Sequence, residues 1–167
     1  MKLKDFFALI IAFAVATGFV LLLKPYLFNE PVLPLTMSSN EIEDWMGTIF
    51  MPTNFILYGL GILALFIWIL KAARTQFMTA TEVLSNQTFW WILLVVYWIL
   101  GIVIFMSISF FSGWMDGSKS IEPLFWFPPF IVLDGIFLFW LPTAIATPRS
   151  MRYVPPFAMT LRKLYGG

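Results

Sequence analysis

The chain has 167 residues, of which 60% are hydrophobic and 11% are charged, whereas a soluble globular domain carries roughly 25% charged residues. Cysteine and histidine are both absent, which excludes disulfides, zinc and haem sites of the usual kind, and nucleophiles activated by histidine. The formal net charge of +1 says little by itself, because in a membrane protein the division of charge between the two sides is the informative quantity.

The first long apolar run covers residues 6–23 and follows Lys2 and Lys4. Ala14-Val15-Ala16 resembles a signal-peptide cleavage site. The apolar run nevertheless continues past it to residue 23 and is long enough to span a bilayer. The sequence therefore predicts a first transmembrane helix rather than a cleaved signal.

Small residues recur at every fourth position on this first span. Ala8, Ala12 and Ala16 form a face on which another helix can approach closely. The spacing leaves open whether that helix is the second span, which contains Gly59 and Gly61, or belongs to another protein. We favour a contact within the chain.

The connection over residues 24–53 is too long for a simple turn and contains a helix start. Ser38 and Glu41 are spaced as in a capping box, and Pro52 is expected to end the helix. Its apolar face, at helical spacing, consists of Ile42, Trp45, Met46, Ile49 and Phe50. We predict a short amphipathic helix on the outer membrane surface, either as a cover for the bundle or as a docking surface for a partner.

Two further apolar runs, at residues 54–73 and 89–111, predict the second and third spans. Placing successive connections on alternate sides of the membrane collects most of the basic residues on one side. Those residues are Lys2, Lys4, Lys71, Arg74, Arg149, Arg152, Arg162 and Lys163. Lys24 and Lys119 fall on the other side. The positive-inside rule therefore predicts that both termini are cytoplasmic.

The fourth apolar run, residues 124–146, contains Asp134, the one formally charged residue well inside a predicted span. An ionisable group at the centre of a span costs about 2.5–3.5 kcal/mol, so it is a functional candidate by default. Asp134 lies near the midplane if the helix begins with the apolar run, and nearer the surface if it begins at Pro128 or Pro129. Two interpretations stay open. One is a proton or cation pathway beside a kink at Pro142, and the other is a structural aspartate that caps a turn or pairs with a polar neighbour.

The tail, residues 147–167, carries basic residues close to the last span. They are Arg149, Arg152, Arg162 and Lys163. Each is expected to attract an anionic lipid surface by about 1 kcal/mol, and a cytosolic partner is the alternative. This footprint is too small to predict nucleic-acid binding.

The sequence as a whole, residues 1–167, predicts an all-α, single-domain, four-span bundle in the lipid bilayer, with short interfacial helices. No motif identifies a family, and we expect neither an enzyme activity nor a metal or other cofactor. The leading prediction is a non-catalytic subunit or assembly factor of a larger membrane complex of respiratory, photosynthetic or secretion type, in a prokaryotic inner membrane or a thylakoid-type membrane. A small transporter, channel or proton-conducting component centred on Asp134 is the alternative. An enzyme acting on lipid or quinone and a pigment-binding role rank lower.

Overall fold

The computed structural model describes residues 3–30, 32–74, 79–116, 119–147 and 154–164. Every regular element within these ranges is a helix. We number the helices α1, residues 3–29; α2, Ser39–Arg74; α3, Ala80–Phe111; α4, Glu122–Ala146; and α5, Ala158–Leu164.

The first four helices are long and apolar enough to cross a membrane. The shortest of these candidate spans, Phe6–Asn29, has 24 residues. At 1.5 Å per residue it is about 36 Å long, which exceeds the ~30 Å thickness of the hydrocarbon core. The prediction of an all-helical chain with four long apolar helices is therefore confirmed.

In the described chain, α1, α2 and α4 each contain a π-helical turn, and the second residue after each turn is a proline. The turns are Phe19–Leu23 before Pro25, Met46–Phe50 before Pro52, and Ile136–Trp140 before Pro142. Proline has no N–H, and in an α-helix its ring collides with the carbonyl one turn earlier. A wider turn relieves that collision, so each helix continues through its proline.

The predicted end of a helix at Pro52 is consequently wrong, because α2 runs unbroken from Ser39 to Arg74. Its N-terminus is the predicted capping box. The Glu41 N–H donates to Ser38 Oγ, and the Glu41 carboxylate accepts from the Ser38 N–H. The segment expected as a separate surface helix is the first part of the helix that contains the second span.

Two other boundaries differ from the prediction. Helix α1 continues past residue 23 to Asn29, so the connection to α2 lies between Asn29 and Ser39 rather than over residues 24–53. Helix α3 begins at Ala80 instead of residue 89, because Thr79 and Glu82 form a second capping box. The capping box pairs the first N–H groups of the helix. The helix can therefore begin in the polar residues that precede the apolar run.

Helix α4 lies at the centre of the fold and contacts α1, α2 and α3. Glycines on two of these neighbours allow a close approach. A Cβ atom at Gly61 of α2 would stand 2.8 Å from Leu138 Cβ, and one at Gly101 of α3 would stand 2.7 Å from Ile131 Cγ2. Small residues at such contacts let helix backbones approach closely in membrane proteins.

Aromatic side chains fill the end of the bundle that is nearest the α3–α4 connection. Phe105 and Phe127 stack with their ring centroids 4.5 Å apart, and the rings of Trp45 and Trp114 lie 5.4 Å apart. We use the term aromatic cluster for the fully buried residues Phe28, Trp45, Phe50, Phe105, Trp114 and Phe127. The cluster joins all four long helices around one apolar centre.

Candidate functional site

Asp134 forms an ion pair with Lys24 in the interior of the bundle. Lys24 Nζ donates to Asp134 Oδ2 at 2.6 Å, and the exposed fraction of each side chain is 0%. Asp134 stands midway between Glu122 and Ala146 in α4, whereas Lys24 lies in the last part of α1, before its end at Asn29. The pair thus connects the first of the long helices to the central one.

The Lys24 ammonium also lies against the aromatic cluster. Its Nζ atom is 4.4 Å from the centroid of the Phe127 ring and 5.8 Å from that of the Phe50 ring. A cation near an aromatic face is attracted by the ring quadrupole, and more strongly so away from water. One carboxylate oxygen and two rings therefore take the place of solvent around this charge.

The π turn of α1 explains how Lys24 is positioned. The Lys24 N–H donates to the Phe19 carbonyl across the wide turn, and Pro25 has no N–H, so the Val20 carbonyl receives no hydrogen bond from its own helix. Asn54 Nδ2 of α2 donates to the Val20 carbonyl at 2.8 Å. The Asn54 side chain replaces the missing helical hydrogen bond and fixes α1 to α2 about one turn before Lys24.

Burial gives the Lys24–Asp134 pair a particular energetic character. Removing an ammonium and a carboxylate from water costs several kcal/mol for each ion, and their attraction offsets this cost only when the geometry is good. Loss of either partner leaves the other charge unpaired in the interior. Each charge is therefore tolerated in the interior only when α1 and α4 are together.

A second ion pair lies at the surface beside the aromatic cluster. Lys119 Nζ is 2.5 Å from Asp44 Oδ2, with 32% and 42% of the two side chains exposed. The same ammonium lies 4.4 Å from the centroid of the Trp114 ring. This pair joins α2 to the connection between α3 and α4.

Neutral hydrogen bonds hold the opposite end of α4. Trp68 Nε1 donates to Thr147 Oγ1 and Trp90 Nε1 donates to Thr143 Oγ1, each at 3.0 Å. All four side chains are buried. A buried indole N–H needs such an acceptor, so these bonds position α2 and α3 against α4.

Asp134 lies at the middle of helix α4, which has the earlier of the two starts that the sequence allowed. Helix α4 begins at Glu122 and passes through Pro128 and Pro129 without a break. A polar neighbour, Lys24, accounts for one of the two carboxylate oxygens. The pairing expected under the structural interpretation is therefore present in the fold.

The alanine face of α1 is covered within the chain. Ala12 and Ala16 are buried and Ala8 is half-buried. The segment Leu3–Gly18 contacts the second half of α4. The neighbour of this face is thus α4 rather than α2, whose Gly61 also accommodates α4.

The apolar face predicted on the surface helix is directed into the protein. Trp45, Ile49 and Phe50 are fully buried, while Ile42 and Met46 are half-buried. They pack with residues of α1, α3 and α4 in the aromatic cluster. Docking of a partner on this face is a prediction that the fold corrects, because the chain itself covers it.

The basic tail is only partly described. Arg149 and Arg152 lie outside the described residues, as does the side chain of Arg162, whereas Lys163 in α5 is exposed. The described part of the tail from Val154 onward contacts the bundle, since Trp140 Nε1 donates to the Pro156 carbonyl at 2.8 Å. Lipid contact by the basic residues stays a prediction.

Sequence reasoning missed Lys24, which it placed in the outer connection. The apolar run was taken to end at residue 23, and a lysine is common at a membrane boundary. Two features of the sequence indicate that Lys24 lies inside a helix. The apolar run continues beyond it with Tyr26, Leu27 and Phe28, and an aspartate inside a span is usually paired with a residue of opposite charge.

An apolar groove of about 360 Å³ lies on the outside of the bundle between α1 and α2. Its lining consists of Leu9, Ile10, Phe13, Ala14, Leu65 and Ile69. Within the described ranges, no group of three or more acidic, His or Cys side chains is placed to hold a metal ion.

Comparison of the chain with protein-family models, with curated proteins and with solved structures found no match. The buried Lys24–Asp134 pair is therefore the feature on which a functional assignment rests.

Proposed function

We propose that the chain is a non-catalytic subunit or stabilising factor of a larger membrane protein complex, of respiratory, photosynthetic or secretion type. The observation that carries this proposal is the closed Lys24–Asp134 pair, which neutralises the intramembrane charge inside the chain. A carboxylate that serves transport typically lines a water-filled cavity or a relay of ionisable groups. The arrangement around Asp134 is instead suited to holding two helices together.

The exposed faces of the helices support the proposal that the chain lies among other subunits within a membrane. On α3 an exposed apolar stripe follows helical spacing, and its members are Ile92, Ile99, Val103 and Phe110, each more than half exposed. Within a membrane such a stripe contacts lipid tails or the helix of another subunit. The groove between α1 and α2 has the form into which a ridge of side chains packs.

The proposed topology places both termini in the cytoplasm of a prokaryotic cell, or on the corresponding side of a thylakoid-type membrane. Burial of Lys24 removes one of two basic residues from the outer side. Lys119 then stands there against eight basic residues on the other side, which favours this orientation under the positive-inside rule.

Gentle detergent extraction of the tagged chain at native expression level, followed by native gel mass determination, tests the proposal. We expect reproducible partners in fixed ratio with the wild-type chain, and less complex with Asp134→Asn. Asp44→Asn, which removes an exposed carboxylate, is the matched control and should leave the complex intact. A lone monomer or homo-oligomer of the wild-type chain would contradict the proposal.

A small transporter or proton-conducting component is the second candidate. The second oxygen of Asp134, Oδ1, has no hydrogen-bond partner among the described residues. A carboxylate oxygen without a partner is available to a proton or cation that passes through the bundle. Conductance measured in proteoliposomes separates the two candidates. A current that Asp134→Asn abolishes while the folded protein persists would support conduction, whereas loss of complex assembly alone would count against it.

A further inference from the structure

The described end of the chain returns alongside α4 after that helix has ended. Trp140 Nε1 donates to the Pro156 carbonyl at 2.8 Å, although Pro156 follows the last residue of α4, Ala146, in the chain. At 1.5 Å per residue, Trp140 lies about 9 Å before that end of the helix. Helix α4 is one of the four helices that are long and apolar enough to cross a membrane. The Pro156 carbonyl therefore lies beside the body of a candidate span rather than beyond its end.

One side of the returning segment is buried against the bundle. Val154 is 0% exposed and belongs to the apolar cluster that contains Trp90 and Phe139. Ala158 is 1% exposed, and α5 contacts the segment Leu141–Ala146 of α4. This packing fixes the level of α5 along the last turns of α4.

The other side of the segment presents apolar side chains outward. Phe157 is 72% exposed and Leu164 is 79% exposed. Leu161 is half-buried and lies on the same face of α5 as Leu164, because the two are three positions apart. We use the term apolar edge for Phe157, Leu161 and Leu164. Contact with water is unfavourable for such side chains, whereas lipid beside a transmembrane helix is a favourable environment for them.

The backbone at Phe157 holds its ring on this outer side. The φ angle of Phe157 is 60°, the one positive value at a non-glycine residue in the described chain. A residue with a Cβ atom is strained in the left-handed region, and such strain persists where the surrounding structure enforces it. The Ala158 N–H donates to the Pro155 carbonyl. The Leu161 N–H donates to the Phe157 carbonyl. Hydrogen bonds on both sides of Phe157 thus maintain a strained turn that presents an apolar ring.

We propose that the apolar edge inserts into the lipid bilayer beside the end of α4 and anchors the end of the chain in the interface of that leaflet. The occupant is lipid because the edge lies beside a candidate span. The exposed Lys163, next to Leu164, adds an ammonium that can reach the lipid phosphates while its stem lies along the apolar surface. The inference rests on the part of the proposed function that places α4 across a membrane, and it does not require a larger complex.

Spin labels on single cysteines test the proposal, because the chain has no cysteine of its own. The full-length variants Phe157→Cys and Leu164→Cys are labelled with a nitroxide in vesicles of phosphatidylcholine and phosphatidylglycerol. Paramagnetic resonance then measures collisions with oxygen, which concentrates in hydrocarbon, and with a nickel chelate, which stays in water. Three exposed positions serve as controls. Ile99→Cys in α3 reports hydrocarbon, Glu43→Cys reports water, and Lys163→Cys is the matched polar neighbour of Leu164.

We expect the ratio of oxygen to nickel collisions at Phe157→Cys and Leu164→Cys to exceed the ratios at Lys163→Cys and Glu43→Cys and to approach that at Ile99→Cys. Ratios at the two edge positions equal to that at Glu43→Cys, with a high ratio kept at Ile99→Cys, overturn this inference alone. Labels at the edge that neither reagent reaches indicate a protein contact and also overturn it. A ratio at Ile99→Cys as low as that at Glu43→Cys overturns both this inference and the membrane location in the proposed function.

Discussion

Two ion pairs of nearly equal length lie in opposite environments. Lys24 and Asp134 are 2.6 Å apart and fully buried, whereas Lys119 and Asp44 are 2.5 Å apart and 32% and 42% exposed. Their lengths alone would predict equal contributions to stability. Water screens the surface pair, which is typically worth about 0–1 kcal/mol, while each interior charge depends on its partner for compensation.

The comparison shows that the surroundings of an ion pair decide its role. The interior pair is supported by the faces of two phenylalanine rings and by the Asn54 contact to α1, so three helices must be in place for it to exist. The surface pair joins a helix to a connection. Only for the interior pair does the free energy of unfolding depend on the correct packing of α1, α2 and α4 around the two charges.

The largest expected effect is that of Asp134→Asn, which keeps the size of the side chain but leaves the Lys24 ammonium unpaired. We expect the free energy of unfolding to fall by about 3–5 kcal/mol. Unfolding in mixed micelles at increasing denaturing-detergent fraction measures this change. A loss below about 1 kcal/mol, the range typical of surface pairs, would contradict the difference between the two pairs.

A smaller effect is expected where α2 approaches α4. In Gly61→Ala the new Cβ atom would collide with Leu138, and overpacking of this kind costs about 1–3 kcal/mol. Gly59→Ala is the matched control, since nothing lies within 4 Å of the position of its Cβ atom. The same unfolding titration should leave the Gly59 variant as stable as the wild type or more so, and equal losses in the two variants would argue against close α2–α4 packing.

The smallest effect is expected at the surface pair. Asp44→Asn should lower the free energy of unfolding by about 0.2–1 kcal/mol, and added salt should reduce the difference further. A loss as large as that of Asp134→Asn would mean that solvent exposure does not determine how much each pair contributes to the free energy of unfolding. The measurement is the unfolding titration at low and at high salt.

The four long helices could be predicted from sequence because each apolar run is long enough to span a bilayer. The capping box at Ser38 and Glu41 could also be predicted, since both hydrogen bonds are local. The passage of α2 through Pro52 could not. Pattern rules treat proline as the end of a helix, and the π turn that accommodates it is not visible in apolar periodicity.

Only one of the two residues of the candidate site could be predicted from the sequence. Asp134 stands out because it is charged and surrounded by apolar residues in the sequence. Its partner Lys24 is separated from it by 110 positions and follows an apolar run, where a lysine usually marks the membrane surface. The pairing depends on the packing of α1 against α4, which local sequence does not specify.

The central claim is that Lys24 and Asp134 act as an energetic unit, so that each charge is tolerated in the interior only with its partner. The most direct test is the double variant Lys24→Met with Asp134→Leu, measured beside Asp134→Asn and the wild type in the same unfolding titration. Replacement of a buried ion pair by apolar residues of similar size is often neutral or stabilising by about 1–4 kcal/mol. We therefore predict that the double variant is at least as stable as the wild type, and a double variant as unstable as Asp134→Asn would contradict the account.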